Sequence, residues 1–158
     1  MKRYSITIAA MLALIASAAH ASGGTPKFID YPVAHIYKGK HGPVKPEADD
    51  SPDFKWQLKQ TLKGRVNFAG HYIVFTYDCG TACITGSIVD VISGEVVDGF
   101  PDGYVIGDDS DSFSADYRAN SHLLIITGIS GSDVSDSPRP KTRCFVMGRE
   151  KLKEISCR

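Results

Sequence analysis

Apolar residues along the chain fall into short runs with two different spacings. Ser51-Pro52-Asp53 opens a segment in which Phe54, Leu58 and Leu62 recur at helical intervals before Gly64. Serine supplies an N-cap oxygen, proline suits the first helical position, and an acid in the first turn complements the helix dipole. The spacing predicts one amphipathic helix of about three turns, its apolar stripe turned to the core. From Asn67 onward the runs are short, β-branched and aromatic. His71–Tyr77 (HYIVFTY) and Ile84–Ile92 read as strands, and Val96-Val97 reads as a third beyond the turn at Ser93-Gly94. Tyr104–Ile106 predicts a short strand and His122–Thr127 (HLLIIT) a fully apolar one. Cys144–Met147 and Leu152–Ser156 flank a turn at Gly148–Lys151 and predict a final hairpin. Asp108–Ser114 and Ile129–Pro140 are polar and read as loops.

His71-Tyr-Ile-Val-Phe-Thr and His122-Leu-Leu-Ile-Ile-Thr resemble each other, and hairpins follow at Ile88–Phe100 and Arg143–Ser156. The offset of about 51 to 54 residues is near the repeat length of propeller blades. Two units cannot close a propeller, which needs at least about four blades. The expected fold is therefore mainly β with a minor α part: two packed antiparallel β-meanders, duplicated blade-like units, and one N-terminal amphipathic helix. Residues 22–50, rich in Gly, Pro, Lys and Asp, read as an extended leader with one short strand at Val33–Tyr37. Residues 51–158 read as a single β-rich domain.

Composition narrows the compartment more than the activity. The 158 residues hold 18 Lys+Arg and 18 Asp+Glu, which speaks against a nucleic-acid binder built on phosphate neutralisation. Lys2 and Arg3 precede an apolar stretch, Ile6–Ala18, and Ala19-His20-Ala21 offers small residues for a peptidase. Residues 1–21 thus read as a signal peptide cleaved before Ser22, too short to span a bilayer comfortably. The mature chain keeps 16 basic and 18 acidic residues. The expected location is the periplasm or the medium, with no stable membrane insertion after cleavage.

All four cysteines, Cys79, Cys83, Cys144 and Cys157, lie in the mature part. An even count in an exported chain predicts two disulfides. Of three connectivities, spacing favours Cys144–Cys157 across the last hairpin and Cys79–Cys83 around Gly80-Thr81-Ala82. A zinc site is the rival reading, but the second pair is spaced too widely for usual ligand pairs. A redox pair is another rival, but the first pair is C-x-x-x-C rather than C-x-x-C. No metal and no cofactor is expected.

Asn67-Phe-Ala-Gly-His-Tyr and Cys79-Gly-Thr-Ala-Cys83 together are the most distinctive stretch. From about Phe54 to the C-terminus the chain resembles a family of small, uncharacterised exported bacterial proteins with an N-F-A-G-H-Y run and a C-G-T-x-C loop. The resemblance implies architecture and compartment, not an activity. The loop alone is similar to that of Ivy-type periplasmic lysozyme inhibitors, which project a disulfide-closed loop from a sheet into the target's active site. That loop has four residues between its cysteines and carries a histidine; here three residues intervene, and none is histidine.

A small disulfide ring is preorganised, so ordering it against a partner costs little entropy. Gly80 permits close backbone approach, Asp78 accepts hydrogen bonds, and Tyr77 offers an aromatic anchor. Tyr77, Asp78, Gly80, Thr81 and Ala82, with His71 nearby in sequence, are the candidate binding residues. The expected function is a periplasmic, non-enzymatic binding protein that presents this loop to an envelope or secreted protein, as an inhibitor of a wall-degrading enzyme or toxin. A small hydrolase using His71 and Asp78 is one alternative, although no nucleophile elbow occurs. A structural envelope protein without a discrete site is the other. The acidic run Asp108–Ser112 reads as a solvated turn, since it lacks the glycine and glutamate of an EF-hand loop.

Overall fold

A computed structural model describes residues 25–106, 113–133 and 135–158. The signal segment 1–21 and the acidic run Asp108–Ser112 lie outside the described residues.

Helix α1 spans Pro52–Thr61. Ser51 caps it as its spacing predicts: the hydroxyl oxygen accepts the Phe54 N–H at 3.1 Å. Eight strands follow among the described residues. β1 (Tyr72–Gly80), β2 (Cys83–Asp90) and β3 (Val96–Gly99) form an antiparallel meander, and β4 (Tyr104–Val105) pairs with the first half of β2. β5 (Phe113–Tyr117), β6 (Leu123–Gly128), β7 (Lys141–Met147) and β8 (Leu152–Ile155) form a second antiparallel sheet in chain order.

The elements stack in three layers. Strand side chains alternate between faces. On β1, Tyr72 and Val74 join Ile88, Phe100 and Tyr104 in a core closed from the second sheet by Leu124, Ile126, Phe145 and Met147. Ile73, on the opposite face, packs with Val89 and Val91 beneath Leu58 and Leu62 of the helical segment. Both faces of the first sheet are thus covered, which is why β1 reads as an unbroken apolar run.

The proposed duplication has a topological counterpart, since β1-β2-β3 and β6-β7-β8 are both consecutive meanders. Matching His71 to His122 pairs Ile73 and Phe75 with Leu124 and Ile126. In the first sheet those positions face the helix; in the second they face the other sheet. The side of the first sheet that faces the helix thus corresponds in sequence to the side of the second sheet that faces the first.

Three expectations need correction. Val33–Tyr37 forms no strand; its backbone is spent on scattered anchors, Val33 N–H to Asn120 O at 3.1 Å and Tyr37 N–H to Gly70 O at 2.7 Å. The leader is pinned to the domain along its length, ending with Lys45 N–H to Gly94 O at 2.9 Å. β5 begins inside the segment that reads as a loop to Ser114: Phe113, Ala115 and Tyr117 alternate with exposed Ser114 and Asp116, the pattern of an edge strand with one face on the core. Cys144 and Cys157 are bonded, with Cα atoms 5.4 Å apart, but are not cross-strand partners. Met147 pairs with Leu152 around the predicted turn, so Cys144 lies opposite Ile155. The bridge reaches diagonally to the tail beyond β8.

Candidate functional site

The β1–β2 hairpin ends in the Cys79–Cys83 ring. Its Cα atoms are 5.1 Å apart, and Gly80 pairs with Cys83 across a two-residue turn, Thr81-Ala82. Gly80 has φ +140° and Ala82 has φ +52°. The first conformation suits glycine; the second strains an alanine, at a cost of about 1–2 kcal/mol. Asp78, Cys79, Gly80, Thr81 and Ala82 are all exposed. A covalent ring thus holds a strained, solvent-facing turn in one shape.

The ring is braced from one side. Val105 pairs with Cys83 and Tyr104 with Ile84, and Ile106 N–H donates to Ala82 O at 2.9 Å. Gly103 lies directly against the sulfurs, where a side chain would not fit. The brace is fixed in turn to the second sheet: Val105 N–H donates to Ile129 O at 2.9 Å and Gly131 N–H to Gly103 O at 2.7 Å. Asp102 Oδ2 accepts the hydroxyls of Ser130 and, at 2.6 Å, Ser132, while Thr85 Oγ1 donates to Asp102 O at 3.1 Å. These hydroxyls hold the Asp102 carboxyl below the usual aspartate range against the opposing effect of burial. Beside them, the Lys141 ammonium, 2.9 Å from Asp133, draws that carboxyl down to about 2.

The candidate residues do not all gather here. Tyr77 is half-buried under the helix. Its ring meets Phe54 edge to face at 5.2 Å and Phe75 at 5.6 Å, and its hydroxyl lies 3.2 Å from Ser87 Oγ. It is a packing residue rather than a free anchor, because the alternation that exposes Asp78 turns Tyr77 toward α1. His71 precedes the far end of β1, stacked on Tyr72 with ring centroids 4.0 Å apart. Seven residues of extended chain put it about 23 Å from Asp78, at roughly 3.3 Å per residue. At that distance the two side chains do not share one catalytic centre.

The sequence does not single out Asp102, Gly103, Ser130 or Ser132. Pro101-Asp102-Gly103 and Ser130-Gly131-Ser132 each look like an ordinary turn, and nothing local says that they meet. On the other side of the same brace, a cleft of about 330 Å³ opens between Phe100, Pro101 and Phe145. Arg143 lines it but is already forked onto Glu154 at 2.9 and 2.7 Å. The buried Tyr104 hydroxyl has no hydrogen-bond partner among the described residues, and burial pushes its pKa up while nearby Arg143 pulls it down.

All four sulfurs are in disulfides, so none is a thiolate for zinc. Among the described residues no three His, Cys, Asp or Glu side chains are placed to share a metal ion. No described helix is long and apolar enough to cross a membrane. Comparison with known protein families, curated proteins and solved structures returned no match.

Proposed function

We propose that this chain is an exported, non-enzymatic binding protein whose Asp78–Ala82 tip enters a recess of an envelope protein, and that the partner is a wall-degrading enzyme or toxin held inactive by it. One observation carries the reading: Asp78–Ala82 are exposed in succession, and the last four of them lie in a ring closed by Cys79–Cys83 and braced by β4. Such a tip gives up little freedom on docking, so more of its contact energy appears as affinity. Thr81 and Ala82 present a narrow, uncharged point, and Asp78 sets one acceptor at its shoulder. The exported compartment belongs to the same proposal, with the two disulfides as its support.

The test titrates mature, oxidised protein against a panel of wall-degrading hydrolases acting on purified cell wall. Inhibition that Thr81→Trp abolishes and Tyr77→Phe leaves unchanged supports the proposal. If no enzyme is inhibited, and crosslinking in an envelope extract captures nothing through the tip, the proposal fails.

A further inference from the structure

A second recess, independent of the tip, lies where the leader crosses the end of α1. Ile36, Tyr37, Val66 and Ala119 give it apolar walls, Lys38 and Arg65 stand at its rim, and it encloses about 450 Å³. That volume is within the range of about 300–1,000 Å³ typical of small-molecule sites. The leader wall is fixed rather than loose. Tyr37 N–H donates to Gly70 O at 2.7 Å, Gly42 N–H to Val91 O at 2.8 Å, and His41 Nδ1 bonds Leu62 O at 2.8 Å. Since a carbonyl only accepts, His41 Nδ1 carries the proton.

Charge separates this recess from the others. Among the described residues, no aspartate or glutamate lines it. Among the described residues, neither Lys38 nor Arg65 has a carboxylate within 4 Å. The larger recess near α1 instead sets Glu47, Asp50, Glu95 and Glu150 against two lysines, and the 330 Å³ cleft has its arginine neutralised by Glu154. Two uncompensated cations beside an apolar trough match a molecule with an anionic head and an aliphatic tail. A guanidinium binds a carboxylate through two parallel hydrogen bonds, and an aliphatic tail gains affinity with each methylene it buries.

We infer that this recess binds a free single-chain carboxylate amphiphile, with the carboxylate between Lys38 and Arg65 and the chain along Ile36, Val66 and Ala119. Isothermal titration calorimetry of the mature, oxidised protein with decanoate, below its micelle-forming concentration, tests it. The expected result is saturable one-to-one binding. Lys38→Ala/Arg65→Ala should weaken it by about tenfold or more, equivalent to about 1.4 kcal/mol. 1-Decanol should bind at least about tenfold more weakly than decanoate, and decyltrimethylammonium not at all. Both cations are exposed, so the double variant should keep the wild-type melting temperature. Absence of saturable decanoate binding overturns the inference, as does decanol binding as tightly as decanoate. Binding only to anionic vesicles, with none to free decanoate, also overturns it.

Discussion

The backbone of Gly103 rests on the sulfur of Cys83: a β-carbon at Gly103 would lie 2.8 Å from Cys83 Sγ and 3.1 Å from Cys79 Sγ. The ring and its brace are therefore one packed unit, and a methyl group at 103 has to push one away from the other. Gly103→Ala is expected to cost about 1–3 kcal/mol. In a Cys79→Ala/Cys83→Ala background the sulfurs are gone and the same substitution should cost almost nothing. Urea unfolding of the four proteins closes this double-mutant cycle. Equal costs in both backgrounds would mean that the contact does not couple brace to ring.

The two disulfides should differ in what they contribute. Cys144 and Cys157 are 13 positions apart, Cys79 and Cys83 only 4. Loop-closure entropy assigns about 3 kcal/mol to the first and about 2 kcal/mol to the second. Alanine pairs at each bridge should unfold in that order of urea midpoint. Partner capture should follow the reverse order, with the small ring mattering more. A small-ring variant that inhibits as well as wild type would separate the ring from recognition.

Acid should loosen the brace. Hydrogen bonds from Ser130 and Ser132 lower the Asp102 pKa, and the Arg143 fork lowers that of Glu154. A carboxyl whose folded pKa is depressed adds stability above its unfolded value and loses it as pH falls through the folded one. Stability should be level with respect to these groups above about pH 5 and fall below about pH 4. Asp102→Asn should be less stable than wild type at pH 7, with the gap narrowing toward pH 2. Chemical unfolding at pH 7, 4 and 2.5 measures it; parallel curves for the two proteins would remove Asp102 from the acid response.

Ser121 anchors the leader. It is 1% exposed, and its hydroxyl reaches Phe28 O at 2.8 Å and Tyr31 O at 3.1 Å while accepting the Leu123 N–H at 3.2 Å. Ser121→Ala takes one donor from the Phe28 and Tyr31 carbonyls, which keep the Tyr31 and His122 N–H, and removes the side-chain acceptor of the buried Leu123 N–H, at about 1–3 kcal/mol. Hydrogen exchange should show the amides of Val33 and His122, which bond Asn120 O and Tyr31 O, losing protection before those of β6 and β7. Uniform loss across the domain would place Ser121 in the global core instead.

Much of this protein is written in short-range sequence. Ser51 and Pro52 begin α1 because a cap needs only three residues, and the apolar runs at Tyr72, Cys83 and Leu123 become strands because β-branched and aromatic side chains favour the pleat. The Cys79–Cys83 pairing follows from spacing too, since cysteines four positions apart can close a ring wherever the chain goes. The edge strand at Phe113–Tyr117 carried its alternation, but with only three partly buried positions the signal was faint. Tertiary structure decided the rest. Which face of β1 meets the helix made Tyr77 a packing residue and left Asp78 in solvent. The meeting of Asp102 with Ser130 and Ser132, and the placing of Lys38 and Arg65 along one recess, depend on how two sheets and a leader are stacked. No local pattern encodes such meetings, because their energy comes from burying surfaces that are far apart in sequence.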